Sequence, residues 1–225
     1  YYCTSVSGAS RIAGGAQQTC TLGPPPSQEF PKIRYVPSDW ANNDPPYTNL
    51  QTFTSCTAAR DYIQNTGNYA GTGFSGRSVG ATVVYIDSTC SLQMTNNATI
   101  RLLDNLAIIT RGGVSLTQRS KWNGESGTKY LHIISAYPDS GSPSCPTQDI
   151  SVTQFTGFDA HASAIIYSPC KVTMNNNNTT FQGQVIGQQV EIGNNFTMNY
   201  LPVKVPGQNV VGFEQDIAYI REVVS

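Results

Sequence analysis

Ala164-Ile-Ile-Tyr-Ser-Pro-Cys-Lys-Val-Thr-Met-Asn-Asn-Asn-Asn-Thr-Thr-Phe-Gln-Gly-Gln184 runs directly into Val185-Ile-Gly-Gln-Gln-Val-Glu-Ile-Gly-Asn-Asn-Phe-Thr-Met-Asn-Tyr200. The second phrase repeats the first: an apolar opening, an alternating segment, a run of Asn, a second alternating segment. Alternation puts one face of an extended chain inside and the other in water. Asn suits the turns between, because it tolerates positive φ and its side chain bonds the local backbone. A unit of this size cannot bury its apolar face alone and must stack on copies of itself.

The phrase recurs upstream in Val83-Val-Tyr-Ile-Asp-Ser-Thr-Cys-Ser-Leu-Gln-Met-Thr-Asn-Asn-Ala-Thr-Ile-Arg-Leu102, and further openings stand at Leu106-Ala-Ile-Ile and Leu131-His-Ile-Ile. Openings at 83, 106, 131, 164 and 185 are 23, 25, 33 and 21 residues apart. The expected fold is therefore all-β, a right-handed parallel β-helix (β-solenoid). Short strands every 8–12 residues also fit a β-sandwich, but a sandwich supplies no reason for Asn pairs to recur in phase. The expected inward positions are Val84, Ile86, Leu92, Met94, Ile100, Ile108, Ile133, Ile165, Val172, Met174, Val185, Ile192, Phe196 and Met198. In this reading residues 79–225 form the solenoid, with loops inserted near 118–130 and 136–163.

Residues 1–78 read as a loop-rich N-terminal region. Gly23-Pro-Pro-Pro and Asn42-Asn-Asp-Pro-Pro favour turning or extended backbone. Within it, 56–66 is the one good helix, with hydroxyl N-cap choices, Ala58, Ala59, Tyr62 and Ile63 at helical spacing, and a Gly stop at 67. Such a helix would close the open end of a solenoid.

The 225 residues carry a net charge of −1, and only 12% are charged. No overall field draws nucleic acid or an acidic membrane. Six cysteines (Cys3, Cys20, Cys56, Cys90, Cys145, Cys170) show no Cys-x-x-Cys, and with only His132 and His161 a zinc site is not expected. An even count without metal spacing reads as disulfides in an oxidising compartment. Six cysteines allow fifteen pairings; closing short loops costs least, which favours Cys3–Cys20, Cys56–Cys90 and Cys145–Cys170 over buried free thiols. No run approaches the length of a membrane helix, and the Tyr1-Tyr2-Cys3 opening reads as a trimmed ectodomain whose anchor lies elsewhere.

Ile165-Ile-Tyr-Ser-Pro-Cys170, the Asn-rich turn, Phe181-Gln-Gly-Gln-Val-Ile-Gly187, Asn194-Asn-Phe-Thr-Met-Asn-Tyr200, Pro202-Val-Lys-Val-Pro-Gly207 and Ile217-Ala-Tyr-Ile-Arg-Glu-Val223 resemble the C-terminal region of PilX-like pilus assembly proteins. These are large minor pilins of type IV pilus systems, here of actinobacterial character. Cys56-Thr-Ala-Ala, Leu106-Ala-Ile-Ile-Thr and Trp122-Asn extend the likeness, which covers roughly 56 to 224. It implies a cell-surface module of a filament, reaching the membrane only through an N-terminal pilin helix, with other pilus subunits, a surface glycan or a host protein receptor as partners. It carries over no catalytic residues.

Ser126-Gly-Thr-Lys129 and Ser168-Pro-Cys-Lys171 match Ser-x-x-Lys, but that chemistry needs a helix and two partner motifs that are missing. Asp87, Asp104, Asp139, Asp149 and Asp159 could pair for glycoside cleavage, yet most adjoin turns, where Asp is ordinarily a turn former. The sequons at Asn97, Asn178 and Asn195 coincide with the Asn turns. No enzymatic activity and no cofactor are expected; the alternative is a secreted carbohydrate-binding or carbohydrate-cleaving β-helix. The candidate contact residues are Arg119, Lys121, Trp122 and Asn123 in one insertion and Phe155, Phe158 and His161 in the other. Exposed aromatics among amides grip sugars or protein surfaces, whereas the plainer reading packs them on the solenoid.

Overall fold

The computed structural model describes residues 29–65, 80–95, 98–116, 120–124, 126–153, 157–175, 180–193 and 197–208. Lys32–Val211 forms one compact unit. The remainder of the chain lies almost wholly outside the described residues, Cys3 and Cys20 with it, as do the Asn runs expected at the turns.

Thirteen described strands pair only in parallel, which removes the β-sandwich and leaves a mostly β fold with a curled sheet. The pairings fall into three sets. One joins β1 (Asn49–Phe53), β2 (Thr82–Ile86), β5 (Leu106–Thr110), β8 (Lys129–Ser135), the first half of β11 (Ala162–Asn175) and the middle of β12 (Thr180–Ile192). A second joins β3 (Leu92–Gln93), β6 (Val114–Leu116), β9 (Ile150–Thr153) and the ends of β11 and β12. The third joins β4 (Thr99–Leu102), β7 (Lys121–Gly124) and β10 (Gly157–Phe158), while the start of β12 pairs β13 (Thr197–Tyr200).

Register turns the repeat into columns of like residues. Val84, Ile108, Ile133, Ile166 and Val185 align in one. Leu92, Val114, Ile150, Val172 and Val190 align in another, and Leu116, Val152, Met174 and Ile192 in a third. As far as β11 these columns face one continuous core, so each β-branched or Leu side chain packs on a similar one a strand away, about 4.8 Å off. The 118–130 stretch is no insertion on this pattern: β7 sits in register between β4 and β10.

α2 (Cys56–Asn65) sends Ala59 and Ile63 into the same core. Ser55 Oγ accepts from the Ala58 amide at 3.4 Å, the N-cap contact that starts it. The Cys56–Cys90 disulfide ties the helix to the turn after β2. Cys145–Cys170 ties the 136–149 loop to the bend inside β11. Both pairings match the shortest-loop expectation.

The first set departs from simple alternation. Val83, Ala107, Ile109, His132, Ile134, Ile165 and Tyr167 point away from the core yet are buried as fully as their neighbours. Ile165 thus belongs to this outer layer, and Ala164 and Ile166 take the inward places. Residues 32–48, including α1 (Pro37–Ala41), and residues 203–205 cover them. Tyr47 Oη bonds His132 Nδ1 at 3.2 Å, the Ile33 amide donates to Tyr167 Oη at 3.3 Å, and Lys204 O bonds His132 Nε2 at 2.9 Å. A parallel sheet covered on both faces carries unbroken apolar runs, as Leu106-Ala-Ile-Ile and Leu131-His-Ile-Ile do.

One more core expectation is corrected and two hold only in part. Ile192 is 52% exposed, because no described strand follows β12 on that side. Val185 and Met198 are only partly buried for the same reason, and Phe196 lies outside the described residues.

Candidate functional site

Trp122 takes the plainer of its two readings and packs in the core. Trp122 is 0% exposed. It stands in register between Ile100 and Phe158, so its indole fills a core column, and Nε1–H reaches Ser120 Oγ at 3.3 Å. Phe158 is also buried, edge-on to Phe181 with centroids 5.4 Å apart. Lys121 is exposed and Asn123 half-buried on the same strand; Arg119 and Phe155 lie outside the described residues. His161 is exposed, and its amide shares Asp159 Oδ1 with the amide of Gly124, both at 3.0 Å. Residues 121–124 and 157–161 therefore do meet, but through their backbones and core faces. The 136–149 loop is held by its own bonds, Gln148 Nε2 donating to Ala136 O at 2.7 Å.

Several of the other chemical candidates are engaged structurally. Ser168 Oγ donates to Gln148 O at 2.6 Å and Lys171 Nζ pairs with Glu191 at 2.7 Å. Ser168 and Lys171 flank the register shift in β11 and each is engaged with a different partner, so this Ser-x-x-Lys pairs no nucleophile with a base. Asp149 and Asp159 accept backbone amides, of Lys171 at 3.1 Å and of Gly124. Among the described residues no group of His, Cys, Asp and Glu has the geometry of a metal site.

A different surface concentrates polar chemistry. Tyr35 stacks on Tyr85 with centroids 4.2 Å apart, and the Arg34 guanidinium lies 5.7 Å over the Tyr137 ring while its Nε donates to Pro138 O. Arg111 pairs with Asp87 at 2.9 Å. Burial raises the Tyr35 and Tyr85 hydroxyls above the ordinary phenol range, with Asp87 next in effect on Tyr85; the Asp87 hydrogen bond, then its charge, raises Arg111. The three tyrosines are half-buried, whereas Arg34, Asp87, Arg111 and Asp139 are exposed. Sequence reasoning missed this cluster because 34–35, 85–87, 111 and 137–139 are far apart along the chain. Its only linear trace is Tyr85 interrupting an otherwise aliphatic strand.

The two disulfides place the chain in an oxidising compartment. No described helix is long and apolar enough to cross a membrane. No family model, curated protein or solved structure matches the chain.

Proposed function

We propose that the chain is a right-handed parallel β-helix serving as a non-catalytic, cell-surface module of a type IV pilus-like filament, in adhesion or pilus assembly. The right hand follows from the strong chiral preference of parallel crossovers. The observation that carries a binding role is the Tyr35, Tyr85, Tyr137, Arg34, Arg111, Asp87 and Asp139 cluster, held on a disulfide-stapled sheet. Such a platform loses little ordering entropy on contact. The filament assignment rests on the pilin-like phrases from Ile165 to Gly207.

Antibody raised to the folded chain should label filaments on the native cell, and the natural precursor should carry a basic leader and a long apolar helix upstream of Tyr1. Diffuse secretion with a plain signal sequence would sink the filament reading. The cluster favours one second reading, a secreted carbohydrate-binding protein, since tyrosine faces beside Arg and Asp suit pyranose rings. A glycan array separates the two: wild-type binding lost in Tyr85→Ala with unchanged Tm supports the carbohydrate reading.

A further inference from the structure

Residues 32–48 cross the outer face of the first strand set as a strap, and they carry part of the aromatic cluster with them. Tyr35 stacks on Tyr85 of β2, Arg34 lies over Tyr137, and the Ile33 carbonyl accepts from the Tyr137 amide at 2.7 Å. Further along, the strap is held at His132. Trp40 and Tyr47 both stand edge-on to that ring, and the buried Trp40 indole N–H has no hydrogen-bond partner among the described residues.

The bonds to His132 fix where its proton sits. The Lys204 carbonyl only accepts, so Nε2 carries the proton and Nδ1 accepts from the Tyr47 hydroxyl. A second proton, on Nδ1, faces that hydroxyl donor to donor. Tyr47 Oη must then accept instead, and its own proton loses the acceptor it has. The charged ring still satisfies Lys204, so the conflict falls on the strap. Around the ring β5 presents Ala107 and the Leu106 carbonyl, β11 presents Ile165, the strap Trp40 and Tyr47, and 203–205 the Lys204 carbonyl. Tyr130, Tyr167 and Tyr85, and then the Arg111–Asp87 pair, stand further along the face. Asp39, next to Trp40, turns instead to Gly207, where an added Cβ would meet its carboxylate. No charged side chain among the described residues offsets an imidazolium here, and burial raises the Tyr47 hydroxyl, which stays a neutral phenol.

We propose that His132 is an acid-sensitive clasp: a proton on Nδ1 releases the 32–48 strap while the parallel strands stay paired, and so takes Arg34 and Tyr35 away from Tyr137 and Tyr85. As regulation of a contact site this rests on the binding role proposed above; the opening of the strap does not. Amide exchange of the full chain tests it, with protection factors corrected for the intrinsic rate at each pH. The amides of Ile33, Tyr47 and Tyr137 bond Tyr167 Oη, Trp40 O and Ile33 O. They should lose protection by about a hundredfold between pH 7 and pH 4, the ratio set by a ring of pKa about 4 in place and 6.5 when free. Opening rises as pH falls because the open form binds the proton more tightly. Amides in 106–110 should remain the more protected at both pH values, and dilute urea should not speed exchange of the strap, because its opening exposes only local surface. His132→Gln should make the strap's protection independent of pH, and Asp39→Asn should leave the fall in place. No ligand enters this readout, so a cluster that binds nothing leaves the clasp standing, and a rigid strap leaves the binding role standing. A strap as protected as 106–110 at pH 4, protection unchanged between the two pH values, or an equal fall in His132→Gln would each overturn the proposal. Should His132→Gln fail to fold, a fall that disappears in Asp39→Asn does so.

Discussion

His132 sits in the outer layer of the first strand set, with Trp40 edge-on at 5.2 Å, Tyr47 Oη on Nδ1 and Lys204 O on Nε2. Burial lowers its pKa from 6.5 to about 4, because the charged form would lose its water. A folded pKa below the unfolded one means the neutral form is held. The stability it contributes is present above pH 6.5 and is lost as pH falls towards about 4, amounting to about 3 kcal/mol. His132→Gln should flatten that part of the stability–pH curve, measured by urea unfolding at half-unit intervals. Equal slopes in both proteins would refute the assignment. Trp122 offers a second test. Trp122→Ala should cost about 3–5 kcal/mol, as for any buried ring lost from a packed core; Lys121→Ala, one residue away and exposed, should change stability by less than about 0.5 kcal/mol. Similar losses for the two would mean that the indole is not a core residue.

Strands and loops raise different questions. β12 passes so close to β11 that a Cβ on Gly183 would collide with the Ala164 carbonyl, and its φ of +141° is one that only glycine adopts freely. Gly183→Ala should therefore destabilise by more than about 1 kcal/mol, read as a fall in the urea midpoint; Gly127→Ala, with φ +62° but open space, isolates the backbone cost from the collision. The 136–149 loop is held by Cys145–Cys170, which spans 25 residues. The paired Cys145→Ser, Cys170→Ser variant should lose about 3 kcal/mol by the loop-entropy account. No loss would indicate that Gln148 and its hydrogen bonds to Ser135 and Ala136 already fix the loop.

The whole molecule should be stable unevenly. β5 and β8 have a strand on each side, a core beneath and a covering layer above, whereas β12 has an open outer edge among the described residues. Amide exchange should accordingly be slowest in 106–110 and 131–135 and fastest, among strand residues, in 184–192. Uniform protection would mean that the edge is covered in solution. Parallel pairing, two disulfides and the inward columns were readable from composition and period. Like residues recurring at a nearly constant interval can align only if each turn of chain lies over the last, and the nearest cysteines then face one another. The burial of Val83, Ile109 and Tyr167, and the exposure of Ile192, were not readable that way. Periodicity says which side of a strand a residue occupies but not what lies against that side. The covering comes from residues 32–48 and 203–205, up to about 130 positions distant along the chain, as in the Ile33–Tyr167 bond. Ile192 repeats the pattern of Met174 and differs only in having no described strand beyond it. Burial depends on neighbours in space, and only the assembled sheet supplies or withholds them.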